Sequence, residues 1–208
     1  MVQAVSANPS QIAHDAPSLA RQAGLTVAAT GLVALAAHVS VPLFFTPVPI
    51  TLQTLAVLFL GLLMGPRWAF VTMTLYLAEG AAGLPVFSPY GPGGVLQLFG
   101  FTGGYLLSYP FAAALAGLLY RSLRPTLKRS FTGRDFVAAF SSAFLASALI
   151  LTSGALWLAT QTHAPARAVL AHAVLPFLPG DLAKVCLAAS AIIGVNNARH
   201  REDSDSVA

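Results

Sequence analysis

Long apolar stretches alternate with short polar or proline-rich segments along most of the chain. A helix that crosses a bilayer needs about 20 mainly apolar residues, and six stretches approach or exceed that length. They cover residues 25–45, 51–64, 68–84, 103–120, 136–160 and 171–195. The pattern predicts an all-α integral membrane protein with six transmembrane helices over residues 23–198, flanked by a flexible tail (1–22) and a polar tail (199–208).

The second stretch is shorter than the others. It has about 14 residues between Pro49 and the Gly65-Pro66 pair, and at about 1.5 Å per residue it would reach only about 21 Å. A recessed helix leaves room at one end of the bundle for irregular backbone, which is tolerated there when it is buried in protein or lines a cavity.

Composition excludes several classes of protein. Charged residues make up 9% of the 208 residues and hydrophobic residues 56%, whereas soluble domains carry about 25% charged residues. The net charge of +4 reflects a shortage of acidic residues, which argues against a nucleic-acid partner. The single cysteine, Cys186, allows neither an intrachain disulfide nor a Cys-x-x-Cys metal site, so we expect it in the apolar core.

The basic residues predict the orientation of the helices, because cytoplasmic loops are enriched in Lys and Arg. With six spans and both termini inside, nine of the eleven basic residues are cytoplasmic. Of the other two, Arg167 is outside and Lys184 lies within a span. The basic loop 121–135 is expected to contact anionic lipid or a partner protein.

Two uncharged segments on the predicted outer side, 41–50 and 84–102, are rich in proline, glycine and aromatic residues. Such segments are typical either of a structured lid over a small amphipathic ligand or of an interfacial aromatic belt.

Three ionisable residues fall within the apolar stretches, where each costs at least a few kcal/mol and indicates a possible function. Asp181 and Lys184 are three residues apart, on one face of a helix that Pro179 and Gly180 break or start. They form either a buried structural ion pair or a ligand site. Glu79 is expected at the outer end of the third span, in water or among headgroups.

Other polar residues favour no catalysis or metal binding. Gln53 in the recessed helix can donate and accept hydrogen bonds. His38 and His172 have no spacing partner for a metal. The chain contains no Walker, Gly-x-Ser-x-Gly or His-Glu-x-x-His motif, so we expect no enzyme, and uphill transport would take its energy from an ion gradient or another protein.

Small residues four positions apart, such as Gly24 and Ala28, let helix backbones approach closely. They indicate either internal packing or a docking face for another helix.

Four runs of sequence resemble one known family. They cover residues 48–69, 76–87, 93–110 and 176–185, and read VPITLQTLAVLFLGLLMGPRWA, YLAEGAAGLPVF, GGVLQLFGFTGGYLLSYP and PFLPGDLAKV. Together they resemble the BioY family, the biotin-specific substrate-binding (S) components of energy-coupling factor transporters.

The resemblance implies a six-helix protein of the cell membrane that binds biotin as its ligand at the outer face and needs no cofactor. It implies a transmembrane coupling (T) component as partner, docked at Gly24 and Ala28, and two ATP-binding-cassette subunits that supply energy.

It also implies roles for individual residues. Asp181 would receive the ureido N–H groups of biotin, and Lys184 would support it or meet the valerate carboxylate. Gln53 and Tyr105 would make further polar contacts. Two aromatic residues of the outer loop would cover the apolar part of the ligand, namely Phe87 and Tyr90.

The chain departs from the family pattern at two positions. Phe101 stands where the family usually has proline, so the turn is either more mobile or held by the packing of Phe101. Glu79 stands where such runs are commonly apolar or neutral. Two other functions remain open: an S component for another small vitamin, and a membrane scaffold without a ligand.

Overall fold

The computed structural model describes residues 19–124 and 133–205 and is mainly helical. The long helices are α1 (Leu19–His38), α2 (Gln53–Met64), α3 (Pro66–Ala81), α5 (Gly103–Leu123), α6 (Gly133–Thr162) and α8 (Leu178–Asp205). The shorter elements are strands β1 (Ser40–Leu43) and β2 (Thr46–Thr51), helices α4 (Gly94–Phe99) and α7 (Ala166–Val169), and a π-helical turn (Leu170–Val174).

Four of the described helices are long and apolar enough to cross a membrane, namely α1, α5, α6 and α8. The predicted recessed helix is α2, which has 12 residues. Helix α3 has 16 residues. The chain is therefore a multi-pass membrane protein in which the apolar helix α2 is shorter than the four candidate spans.

The expectation of a helix over residues 25–45 was wrong at its end, and the fold is not purely α-helical. Helix α1 stops at His38, and residues 40–51 form an antiparallel hairpin in which Val41 pairs with Ile50. Three prolines in this segment lack the N–H that a helix needs, namely Pro42, Pro47 and Pro49. Extended backbone accommodates them, because the hairpin has only two strands and its edges need no partner.

The predicted chain ends also differ from the structure. Helix α1 already begins at Leu19, so only residues 1–18 of the predicted tail lie outside the described residues. Helix α8 continues to Asp205, and residues 199–205 are therefore helical. Two of the basic residues of the loop 121–135, Lys128 and Arg129, lie outside the described part of the chain.

A sharp turn joins α2 to α3. Gly65 has φ +77°, a conformation that favours glycine, and Pro66 occupies the first turn of α3. The Arg121 guanidinium donates a hydrogen bond to the Met64 carbonyl at 3.4 Å, which satisfies one of the carbonyls at the end of α2.

The core lies where α5 contacts α2, α3 and α6. Small residues let these helices approach closely: a Cβ added at Gly117 would lie 2.6 Å from the Gly61 carbonyl oxygen, and one at Gly61 would lie 2.7 Å from the Ala113 carbonyl oxygen. Both contacts are with backbone, so neither neighbour can move aside easily.

We therefore expect Gly117→Ala to lower the free energy of unfolding by about 1–3 kcal/mol, the usual cost of overpacking a core. Thermal unfolding in detergent would measure this. The matched control is Gly31→Ala, because an added Cβ on that exposed face of α1 meets nothing within 4 Å. Equal stability of the two variants would contradict the close packing of α2 on α5.

Candidate functional site

A cavity lies among α2, α5, α6 and α8, beside the hairpin and the segment 82–102. The cavity is partly open, and its volume is about 50 Å³, below the roughly 300–1,000 Å³ of small-molecule pockets. A vitamin-sized ligand therefore fits only when lining side chains or the covering segments move. The lining residues are Val48, Pro49, Thr51, Gln53, Thr54, Ser88, Gln97, Thr102, Tyr105, Leu106, Tyr109, Ile150, Leu151, Phe177, Asp181 and Lys184.

Asp181 and Lys184 reach the cavity from the first two turns of α8, as their spacing predicts. The helix begins at Leu178, next to the expected Pro179-Gly180 break, and the Asp181 N–H donates to the Phe177 carbonyl at 2.8 Å. Lys184 Nζ lies 3.9 Å from Asp181 Oδ1, and the two residues are only 8% and 7% exposed.

Two hydroxyl groups complete this charged pair. Ser147 on α6 donates a hydrogen bond to Asp181 Oδ2, and Lys184 Nζ donates to Thr54 Oγ1 at 3.0 Å. Both charges thus have a second polar partner, which buried ions need. Ser147 and Thr54 could not be predicted from the sequence, because a hydroxyl residue in an apolar helix usually bonds its own backbone and carries no distinguishing pattern.

Gln53 lines the cavity at the start of α2, but its amide is already engaged. Its Nε2 donates to the Tyr76 hydroxyl at 2.7 Å, and that hydroxyl donates to the Val86 carbonyl at 2.8 Å. This chain of hydrogen bonds ties α2 and α3 to the segment that follows α3. Gln53 therefore helps to position that segment.

Tyr105 lines the cavity from α5, and its hydroxyl donates to the Ala173 carbonyl at 3.1 Å. That carbonyl belongs to the π-helical turn before α8, so Tyr105 helps to position α8 and the Asp181–Lys184 pair. Its ring packs on Gly154 of α6 so closely that a Cβ added to the glycine would lie 2.2 Å from Tyr105 Cε1.

The two aromatic residues expected to cover a ligand lie elsewhere. Phe87 is buried against Gly80 and packs edge-on to Tyr76, with ring centroids 5.5 Å apart. Tyr90 is 52% exposed. Neither lines the cavity, so Phe87 acts here as an anchor of its segment, while the covering role assigned to both stays a prediction.

The turn at Phe101 is held by groups from α6. Phe101 itself is 47% exposed. The Trp157 indole N–H donates to the Gly100 carbonyl at 2.9 Å, and the Gln161 amide donates to the Phe99 carbonyl. These bonds, and not burial of Phe101, restrain the turn that lacks the family's proline.

The remaining candidates lie outside the cavity. Glu79 accepts a hydrogen bond from Thr30 of α1 at 3.1 Å. Gly24 and Ala28 are exposed on α1.

The two histidines singled out in the sequence also lie outside the cavity. His38 bonds its own helix at the Ala34 carbonyl, and His172 lies beside Phe45. Within residues 19–124 and 133–205, no three His, Cys, Asp or Glu side chains group as a metal site.

Comparison with known proteins identifies the family. The sequence model described as the BioY family matches residues 6–201, which is nearly the whole chain. The chain belongs to the BioY family. Members of this family are transporter components and not enzymes, in agreement with the absence of catalytic motifs.

Relatives in this family support the assignment over most of their length. A protein named probable biotin transporter BioY from Pyrococcus horikoshii is 33% identical over 174 residues, which cover 84% of this chain and 93% of the relative. One of the same name from Bacillus subtilis is 34% identical over 166 residues, covering 78% and 84%.

The fold is shared with a solved crystal structure. The crystal structure of the S-component for biotin from an ECF-type ABC transporter matches with a TM-score of 0.76. The match covers 92% of this chain and 95% of the other, at 24% sequence identity. At that identity, the likeness concerns the path of the backbone.

Proposed function

We propose that this chain takes up biotin as the membrane S component of an energy-coupling factor transporter. Its relatives are named biotin transporters, and its cavity has the chemistry that such a ligand needs. The observation that carries the proposal is the buried Asp181–Lys184 pair on the cavity wall. Biotin is the transported ligand, and no cofactor is needed.

The cyclic urea of biotin carries two N–H donors and one carbonyl acceptor. A buried carboxylate accepts N–H donors strongly, because charge-assisted hydrogen bonds are about twice as strong as neutral ones. Ser147 orients Asp181 for this, and Lys184, which itself donates to Thr54, lies beside the carboxylate and balances its charge. Lys184 therefore supports Asp181 in this proposal.

Apolar residues line the rest of the cavity, among them Val48, Leu106, Ile150 and Phe177. They match the thiolane ring and the methylene chain of biotin, which are apolar. The hairpin 40–51 and the segment 82–102 lie at the cavity, and their movement would admit the ligand.

The proposed topology has six spans, formed by the four long helices together with α2 and α3, and both termini in the cytoplasm. The basic residues support it, since nine of eleven are then cytoplasmic. The proposed location is the cell inner (plasma) membrane, where the basic residues on the cytoplasmic side would face anionic lipid.

Titration calorimetry of the purified chain in detergent tests the function, with thiamine and riboflavin as controls. We expect one-to-one binding of biotin and none of the other two vitamins. Binding of another vitamin instead would assign a different S component. A well-folded chain that binds none of the three would favour the scaffold without a ligand.

The proposed partners are a T component and two ATP-binding-cassette subunits, because the chain has no ATP-binding motif. Gly24 and Ala28 are candidates for docking the T component. Both are exposed on α1, and a Cβ added at Gly24 meets nothing within 4 Å in this chain. Packing within the described residues therefore does not require a glycine at position 24.

Gly24→Leu combined with Ala28→Leu is expected to abolish association with the T component, because leucine side chains hold helix backbones apart. Biotin affinity should stay within about twofold, since neither position lines the cavity. Co-purification and calorimetry measure the two effects. The control is Gly194→Leu on α8, because this glycine is also exposed and an added Cβ meets nothing within 4 Å. If both variants co-purify equally with the T component, docking at Gly24 and Ala28 is contradicted.

A further inference from the structure

Ser88 lies at the cavity and carries a buried polar group without a partner. The residue is 7% exposed and lines the cavity. In the described ranges 19–124 and 133–205, its Oγ is the buried side-chain polar atom that has no hydrogen-bond partner. Such a group costs free energy unless something satisfies it, so this hydroxyl calls for a ligand or a functional explanation.

The position of Ser88 is held by its own segment. Gln97 on α4 donates through Nε2 to the Ser88 carbonyl at 3.3 Å, and the Gly93 N–H donates to Gln97 Oε1 at 3.1 Å. Gly91 lies so close that a Cβ there would be 2.6 Å from Gln97 Cδ. The buried amide of Gln97 therefore clamps the segment on both sides of Gly91 and keeps Ser88 at the cavity.

Several other polar side chains of the cavity already have partners within the protein. The Gln53 amide donates to Tyr76, and the Tyr105 hydroxyl donates to the π-helical turn. Asp181 and Lys184 satisfy each other with help from two hydroxyls. The Ser88 hydroxyl thus has hydrogen-bonding capacity that no protein group uses.

We propose that the Ser88 hydroxyl donates a hydrogen bond to the carboxylate of bound biotin. This inference rests on the proposed function and adds a residue that fixes the other end of the ligand. Asp181 is suited to the urea ring of biotin, and its negative charge would repel the carboxylate of biotin. Lys184 is held by Asp181 and Thr54, so the ligand carboxylate needs a donor from another element, and Ser88 reaches the cavity from the segment between α3 and α4.

The test compares Ser88→Ala with the wild type for two ligands, biotin and an analogue in which a methyl group replaces the carboxylate. Loss of a hydrogen bond to a charged group should weaken biotin binding about tenfold. Binding of the analogue should change by less than about twofold, because it has no carboxylate for the hydroxyl to meet. Calorimetry on the full chain in detergent measures both.

Ser142→Ala is the matched control. Ser142 is also buried, but it does not line the cavity, and its hydroxyl donates to the Ala138 carbonyl within α6. It should leave the affinity for both ligands unchanged. Without added ligand, Ser88→Ala should keep or raise the unfolding temperature, since it removes an unsatisfied buried hydroxyl.

Three results would overturn the inference. Unchanged biotin affinity in Ser88→Ala, with normal binding by the wild type, would reject the Ser88 contact and leave the proposed function standing. An equal loss for biotin and the analogue would reject the carboxylate as the group contacted. Failure of the wild type to bind biotin would reject the proposed function and the inference with it.

Discussion

Asp181→Asn should weaken biotin binding at least about a hundredfold, because two hydrogen bonds to a charged acceptor at about 1.5–3 kcal/mol each are lost or weakened. The asparagine amide keeps the size of the side chain but removes its charge. It also turns one acceptor into an N–H donor, which faces the N–H donors of the ligand. Calorimetry with the purified variant measures the effect.

Glu79→Gln is the control for this change from acid to amide. Glu79 lies on α3 outside the cavity, and its contact with Thr30 needs only an oxygen acceptor, which glutamine keeps. Its biotin affinity should match that of the wild type. If Asp181→Asn also binds biotin with wild-type affinity, Asp181 is not the acceptor of the ligand N–H groups.

Lys184→Met should lower the free energy of unfolding by about 3–5 kcal/mol, the usual effect of removing one partner of a buried ion pair. Methionine fills similar space but leaves the Asp181 carboxylate buried with Ser147 alone. Biotin binding should weaken as well, since Asp181 would no longer be held in place. Thermal unfolding in detergent and calorimetry report the two effects.

The double variant Asp181→Asn with Lys184→Met separates stability from binding. Without either charge, no ion is left unpaired, and replacement of a whole buried pair is often neutral for stability. We expect the unfolding temperature to recover towards that of the wild type while biotin binding stays lost. Recovery of binding in the double variant would contradict a direct role of the Asp181 charge.

The helical part of this fold could be predicted from the sequence because its signal is local. Apolar runs, proline and glycine positions and basic loops identify spans without knowledge of their partners. The boundaries at Gly103 and Met64 agree with the structure. The predicted end of the first helix was wrong. The apolar run continues to residue 45, but the chain leaves the helix at His38 and forms a hairpin at the prolines.

The candidate site was predicted in part for a similar reason. Asp181 and Lys184 are noticeable because charge in an apolar helix is costly, and their shared face follows from a spacing of three residues. Phe87 and Tyr90 were grouped by residue type alone. The structure separates them, with Phe87 packed under Gly80 and Tyr90 exposed.

By itself, the sequence determined the class of protein, which depends on composition, and indicated the family through four separate runs of residues. It also predicted the pair Asp181 and Lys184, because these two residues are neighbours along one helix. Only the tertiary structure decided which groups complete the site. Ser147 and Thr54 come from two other helices to meet the Asp181–Lys184 pair, and Gln97 clamps the segment that holds the unpartnered Ser88 at the cavity. Such contacts join residues far apart in the chain, and their geometry depends on how α2, α5, α6 and α8 pack around one cavity.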